Sequence, residues 1–315
     1  MKVALTGSAG FVGTAVMQHL LGQGAEIVTV GHRHRPGIHT TYGQLTESPA
    51  GSSLLRGYGA LIHLGARVHI MQETTADPLT EFRRINVQGT LNLAQEAAAA
   101  GVKRFVFISS IKVNGELTRL GSPFKADDAP APLDAYGVSK MEAEHGLREI
   151  AAKTGMEVVI IRPPLVYGPG VKANFAAMMR WLQRGVPLPL GAIHNQRSLV
   201  ALDNLVDLIV TCIDHPAAAN QTFLVSDGED LSTTQLLRRM GQAMGQPARL
   251  IPVPPALLKV GAALVGKPEL AQRLCGSLQV DMAKTRQLLG WNPPISVDEG
   301  LRRAAAGFRR GAAVP

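Results

Sequence analysis

Val3-Ala-Leu-Thr6-Gly7-Ser-Ala-Gly10-Phe-Val-Gly13 decides how this chain folds, because a short apolar run passes directly into three evenly spaced glycines. The apolar positions Val12, Val16, Met17, Leu20 and Leu21 follow at helical spacing, so the stretch reads as strand, turn and helix. Gly7 permits the tight turn, Gly10 lets a pyrophosphate approach the backbone, and Gly13 lets the helix pack closely on the strand. Phe11 and Val12 open a helix whose N-terminal amides face the anion. The expectation is a dinucleotide held at Gly7, Gly10, Phe11, Val12 and Gly13.

Glu26-Ile-Val-Thr-Val30 supplies the second strand, and the residues after it bear on which dinucleotide is held. An acidic side chain there would bind a free ribose 2′-hydroxyl, yet no Asp or Glu occurs between Glu26 and Glu47. Gly31-His-Arg-His-Arg35 stands in its place, and His32, Arg33 and Arg35 suit a 2′-phosphate. NADP(H) is therefore favoured, with NAD(H) the alternative.

Ala60-Leu-Ile-His-Leu64 is a third strand, and the small residues Gly65 and Ala66 that follow let a cofactor lie against the sheet's carboxyl edge. A helix is expected from Phe82 to Ala100, with Asn86 an amide that needs partners. Arg104-Phe-Val-Phe-Ile-Ser-Ser110 brings Ser109 and Ser110 to the same edge. A Pro-rich loop, Pro123 to Pro132, delivers the chain to Tyr136-Gly-Val-Ser-Lys140, where tyrosine and lysine share a helix face. A free phenol has a pKa of about 10, so a neighbouring ammonium is what would make it usable near neutrality. Ser110, Tyr136 and Lys140 are the expected catalytic set. Glu157-Val-Val-Ile-Ile-Arg162, stopped by Pro163-Pro164, completes an alternation of strands and helices that predicts a doubly wound parallel sheet.

Beyond Gly168-Pro-Gly170 the pattern changes to helices near 175–184, 203–214 and 233–244, a short strand at 222–225, and an apolar helix at 255–265. Residues 1–165 are read as the dinucleotide-binding domain and 166–315 as a mixed α/β substrate lobe, with an approximate boundary that the chain can recross. The 315 residues are 46% hydrophobic and 18% charged, and no segment approaches the length of a membrane span. The net charge of +8 comes with only 4% aromatic residues and no long basic run, which argues for a phosphorylated small ligand over nucleic acid. Two cysteines without metal-ligand spacing predict no metal site and a reducing compartment. Met1-Lys-Val leads straight into the first strand, so no cleavable leader is expected and the cytoplasm is the predicted location.

With these residues assembled, the chain resembles the extended short-chain dehydrogenase/reductases of the nucleotide-sugar epimerase/dehydratase family. The resemblance runs through Thr6-Gly-Ser-Ala-Gly-Phe-Val-Gly13, His63-Leu-Gly-Ala66, Asn86-Val-Gln-Gly-Thr90, Phe107-Ile-Ser-Ser110, Arg162-Pro-Pro-Leu-Val-Tyr-Gly-Pro169 and Lys284-Thr-Arg-Gln-Leu-Leu-Gly-Trp291. It implies that Tyr136 is the acid–base residue, that Lys140 binds the nicotinamide ribose and lowers the tyrosine pKa, and that Ser110 positions the sugar hydroxyl or ketone. It adds Leu64, Gly65, Ala66, Asn86, Ser109 and Pro163 to the cofactor contacts. Asn114, Asn174, Arg197 and Arg273 are assigned to a UDP-sugar, the last three at its diphosphate, and a homodimer is implied. Two departures from the 4-epimerase pattern are Asn114, where tyrosine is usual, and Gln44, where aspartate is frequent. With the basic loop, and a further similarity to bacterial 4-ketoreductases that form UDP-N-acetylquinovosamine, they favour reduction of a 4-keto sugar. A UDP-hexose 4-epimerase is the alternative, and a catalytically silent sensor of NADP or nucleotide sugar a second.

Overall fold

The computed structural model describes residues 1–31, 40–41, 51–68, 77–264, 266 and 268–312. Its first half alternates β1 (Lys2–Thr6), α1 (Phe11–Gly22), β2 (Glu26–Val30), β3 (Thr40–Thr41), α2 (Gly51–Leu55), β4 (Ala60–His63), α3 (Pro78–Phe82), α4 (Gly89–Ala99), β5 (Arg104–Ile108), α5 (Ala135–Thr154) and β6 (Glu157–Arg162). Between α3 and α4 the helix widens into a π turn at Arg83–Gln88. The second half contains β7 (Leu165–Tyr167), α6 (Ala173–Gln183), β8 (Arg197–Ala201), α7 (Leu202–Asp214), β9 (Thr222–Leu224), β10 (Asp230–Leu231) and α8 (Thr233–Ala243). It closes with α9 (Pro255–Leu264), α10 (Pro268–Cys275), α11 (Ala283–Leu289) and α12 (Val297–Ala312).

Seven strands form a parallel sheet in the order β3-β2-β1-β4-β5-β6-β9. Alternation along β1 sends Val3 and Leu5 to one face, against Val16 and Leu20 of α1 and Leu205 and Ile209 of α7. Ala4 turns to the other, with Leu93 and Ala97 of α4 and Leu147 of α5. Both faces are covered, which is why the strands read as continuous apolar runs.

The chain leaves this sheet after β6, builds a small sheet ordered β10-β8-β7, and re-enters the large one through β9, which pairs with β6. Apolar residues of α7 and β9, among them Leu205, Ile209 and Phe223, and the Met282, Leu289 and Trp291 side chains therefore pack against the large sheet although they lie beyond the boundary read at residue 165. A separate core of Tyr167, Phe175, Leu199, Leu237 and Leu301 holds the second lobe. The strand order reverses between β1 and β4, and in open α/β sheets ligands bind at the carboxyl ends of the strands beside such a reversal. Among the described residues, no helix is long and apolar enough to cross a membrane.

Candidate active site

At that reversal the turns after β1 and β4 are in contact. Gly7 has φ +68°, and a Cβ on it would lie 2.7 Å from the Gly65 nitrogen and 2.8 Å from the Leu64 carbonyl carbon. A Cβ on Gly13 would stand 2.0 Å from the Gly7 oxygen, so α1 can sit this close only with glycine there. Gly10 differs: its Cβ would meet only the Gly7 oxygen, at 3.2 Å, among the described residues. Gly10 is also the N-cap of α1, and no side chain caps that helix. Backbone amides at a positive helix end, with bare glycine in front of them, fit a dinucleotide pyrophosphate.

Buried polar side chains lock the β4 turn. Thr6 Oγ1 accepts from the Gly65 amide at 3.2 Å and lies 2.6 Å from His63 Nδ1, while His63 Nε2 lies 2.9 Å from Thr90 Oγ1. Burial, aided by nearby Lys140, pushes His63 down to about 3, so it is neutral at physiological pH. Asn86 finds the partners its burial requires. Its Oδ1 accepts from the Arg67 amide at 2.8 Å, and its Nδ2 donates to the Arg67 carbonyl and to Ser139 Oγ, both at 3.0 Å. Through these bonds the Asn86 amide ties the β4 turn to α5.

Helix α5 starts at Asp134, whose Oδ1 accepts from the Gly137 amide at 2.7 Å, and Asp134 also pairs with Lys112 of the turn after Ser110. The cap and the ion pair together fix Tyr136 relative to Ser110. Tyr136 packs edge-on to Phe82 at 6.1 Å between ring centroids, and none of the described residues hydrogen-bonds its hydroxyl. Ser110 Oγ accepts from the Lys112 amide at 3.3 Å, which leaves its own O–H to donate outward. Lys140 Nζ donates to the Ile108 carbonyl at 2.8 Å and lies 4.3 Å from the centre of the Phe107 ring. Burial, reinforced by Asp134, pushes the Tyr136 phenol up to about 12. Burial lowers Lys140 to about 7 against the opposing pull of Glu144. The phenol therefore moves opposite to the shift expected from Lys140, because desolvation and the capping carboxylate dominate it.

Beneath these groups lies an ion pair that sequence reading did not single out. Glu144, one turn beyond Lys140, receives Arg162 Nε at 2.9 Å and Nη2 at 2.5 Å, Ser109 Oγ at 2.6 Å and Arg148 Nη2 at 3.2 Å. Glu144 and Arg162 are almost wholly buried. The available signals were the i,i+4 spacing from Lys140 and a charge ending an apolar strand. Ser109, assigned to the cofactor, spends its hydroxyl on this carboxylate. Asn114, assigned to the substrate, is held from two sides: its Oδ1 accepts from Arg162 Nη1 and its Nδ2 donates to the Lys125 carbonyl, both at 2.9 Å, with the side chain buried. Pro163 is buried, and its carbonyl accepts from the Ile111 amide at 3.0 Å, which pins the serine turn to β6.

On the second lobe, Arg197 Nη1 donates to the carbonyls of Arg273 at 3.1 Å and Gly276 at 3.2 Å. Arg197 and the backbone of α10 therefore come together, but the Arg273 side chain is exposed and faces Glu269 at 3.6 Å. Asn174 is exposed in the first turn of α6, next to Ala173, which holds φ +55°. His32, Arg33, Arg35 and Gln44 lie outside the described residues.

The sequence profile of the NAD dependent epimerase/dehydratase family matches residues 3–226. The chain belongs to that family. It is an enzyme of the short-chain dehydrogenase/reductase type. A UDP-glucose 4-epimerase of Vibrio cholerae is 49% identical over 312 residues, 98% of this chain and 95% of the relative. An N-acetyl-alpha-D-glucosaminyl-diphospho-ditrans,octacis-undecaprenol 4-epimerase of Escherichia coli O157:H7 is 26% identical, covering 96% of this chain and 93% of its own. Among solved structures, a UDP-glucose 4-epimerase of Thermotoga maritima with UDP-glucose superposes with a TM-score of 0.79 at 21% identity, covering 99% of this chain and all of the other.

Proposed function

We propose that this enzyme is a nucleotide-sugar 4-epimerase that inverts C4 of a UDP-hexose. The observation that carries the reading is the end-to-end likeness to the Vibrio cholerae UDP-glucose 4-epimerase, joined to a site with an acid–base phenol, a hydroxyl donor and a glycine turn suited to a dinucleotide. The turns after β1 and β4 would hold NAD, which supplies hydride acceptance and return at C4. Tyr136 would take the proton of the 4-hydroxyl and later restore it to the ketone oxygen, while Ser110 O–H steadies the charge on that oxygen. Restoring the proton suits the protonated phenol that burial favours. Taking it needs a cation nearby, and Lys140, held by the Ile108 carbonyl, is the candidate. Arg197, already fixed against α10, is proposed to hold the diphosphate.

One observation favours a second reading, reduction of a UDP-4-keto-6-deoxyhexosamine with NADPH. The stretch after β2 carries arginines and no carboxylate. A reductase must exchange its cofactor at each turnover, whereas an epimerase can retain it. Purified enzyme should therefore be offered UDP-glucose alone and, separately, the 4-keto sugar with NADPH. Formation of UDP-galactose in the first arm supports the epimerase. Its absence, with NADPH consumed in the second arm, would replace the proposal with the reductase.

A further inference from the structure

Helix α9 presents its apolar side to solvent. The residues that turn toward the second-lobe core are Pro255, Leu258 and Ala262, and even these are only partly covered. The outward face comprises Ala256, Leu257, Lys259, Val260, Gly261, Ala263 and Leu264, with a lysine as its single polar side chain. Leu257, Val260 and Leu264 fall on one stripe by their spacing and are 62%, 59% and 83% exposed. A surface helix of a globular protein carries polar groups on that side. The apolar surface continues beyond the helix. Strand-like bonds from Leu188 N to Arg249 O and from Gly191 N to Ile251 O bring the chain after α6 beside the entry to α9. This adds exposed Ile251 and Val186, and exposed Trp181 lies at the end of α6.

Charge selects the occupant. The sequence contains no Asp or Glu from 158 to 202 or from 231 to 268, the two segments that build this surface. Arg180, Arg184, Arg249 and Lys259 are exposed on them. A second copy docked face to face would oppose these cations to themselves, and the carboxylate at the edge of the surface, Glu269 of α10, already faces Arg273 at 3.6 Å. An anionic bilayer answers all of them, takes Leu, Val and Trp side chains into its interface, and fits a helix of about 15 Å that lies flat because it is too short to span. We propose that α9, with the Trp181 and Ile251 edge, docks this protein onto the surface of an anionic phospholipid membrane. The inference does not depend on the epimerase reading.

The test is sedimentation of the full protein with vesicles of phosphatidylcholine, either pure or containing about a third phosphatidylglycerol. Binding is expected to the anionic vesicles only, weakening as salt rises from about 0.1 to about 0.5 M. Of the two tryptophans, Trp291 is buried and Trp181 exposed, so a vesicle-induced blue shift of emission should vanish in Trp181→Phe. The Leu257→Ser/Val260→Ser/Leu264→Ser variant loses only exposed side chains. It should keep its turnover and thermal midpoint and partition onto vesicles on the order of 100-fold more weakly. Absence of wild-type binding, or equal binding by the triple variant, would overturn the proposal. So would a self-associated wild type that the triple variant dissociates, which would make a second copy the occupant.

Discussion

Replacing Glu144 by Gln should destabilise the protein far more than a one-atom change suggests. The carboxylate accepts two bonds from Arg162, one from Ser109 and one from Arg148, inside a site where both Glu144 and Arg162 are almost fully buried. Glutamine is neutral, keeps one acceptor oxygen and turns an amide donor toward groups that are themselves donors. Breaking a buried pair from one side typically costs about 3–5 kcal/mol, since the other charge stays buried without compensation. For a chain this large, about 2 °C per kcal/mol converts that to a midpoint lower by about 6–10 °C, readable by calorimetry. Removing both charges, as Glu144→Leu/Arg162→Met, should recover a large part of the loss, because Arg162 is no longer left buried and unpaired. A fall under about 2 °C for Glu144→Gln, or a double variant as unstable as the sum of its singles, would refute the reasoning.

Tyr136→Phe should lower turnover by about 10² to 10⁴ with dinucleotide affinity unchanged, because only the hydroxyl leaves; a variant with over half the wild-type rate would remove Tyr136 from the mechanism. Gly10→Ala should lower the thermal midpoint of the cofactor-free protein far less than Gly13→Ala, since among the described residues its Cβ meets only the Gly7 oxygen, at 3.2 Å, which a shift of a few tenths of an ångström relieves. It should weaken the dinucleotide at least about tenfold by titration, whereas Gly13→Ala, at 2.0 Å, should destabilise the fold itself. His63, lowered to about 3 by burial, gives a pH signature: the unfolded chain takes up a proton below about 6.5 that the folded one refuses. Stability should therefore fall as pH drops from about 6.5 toward 3, and His63→Gln should flatten that limb in urea titrations at stepped pH.

The parts of the fold legible in sequence are those written in contiguous residues. The Gly7 to Gly13 turn, the Glu157–Arg162 strand ended by two prolines, and the Tyr136 helix carry their periods and breakers within a dozen or so positions. Strands β7 and β10, of three and two residues, have no period to read. The partners of the site residues are hidden in the same way. Asn114, Ser109 and Asn86 have side chains able to bind ligand, but each is claimed by a partner far along the chain, such as Arg162 for Asn114 or Ser139 for Asn86. A local pattern cannot register such claims. The direction of the tyrosine shift has a related origin: spacing reveals Lys140, but burial and the Asp134 cap become visible only in three dimensions.

The central claim, that C4 is inverted by a hydride removed from and returned to the same sugar, is tested most directly with UDP-galactose deuterated at C4. Purified enzyme with no added cofactor should yield UDP-glucose that keeps the deuterium at C4, followed by NMR and mass spectrometry. No UDP-glucose, or UDP-glucose that has lost the label, would contradict the account.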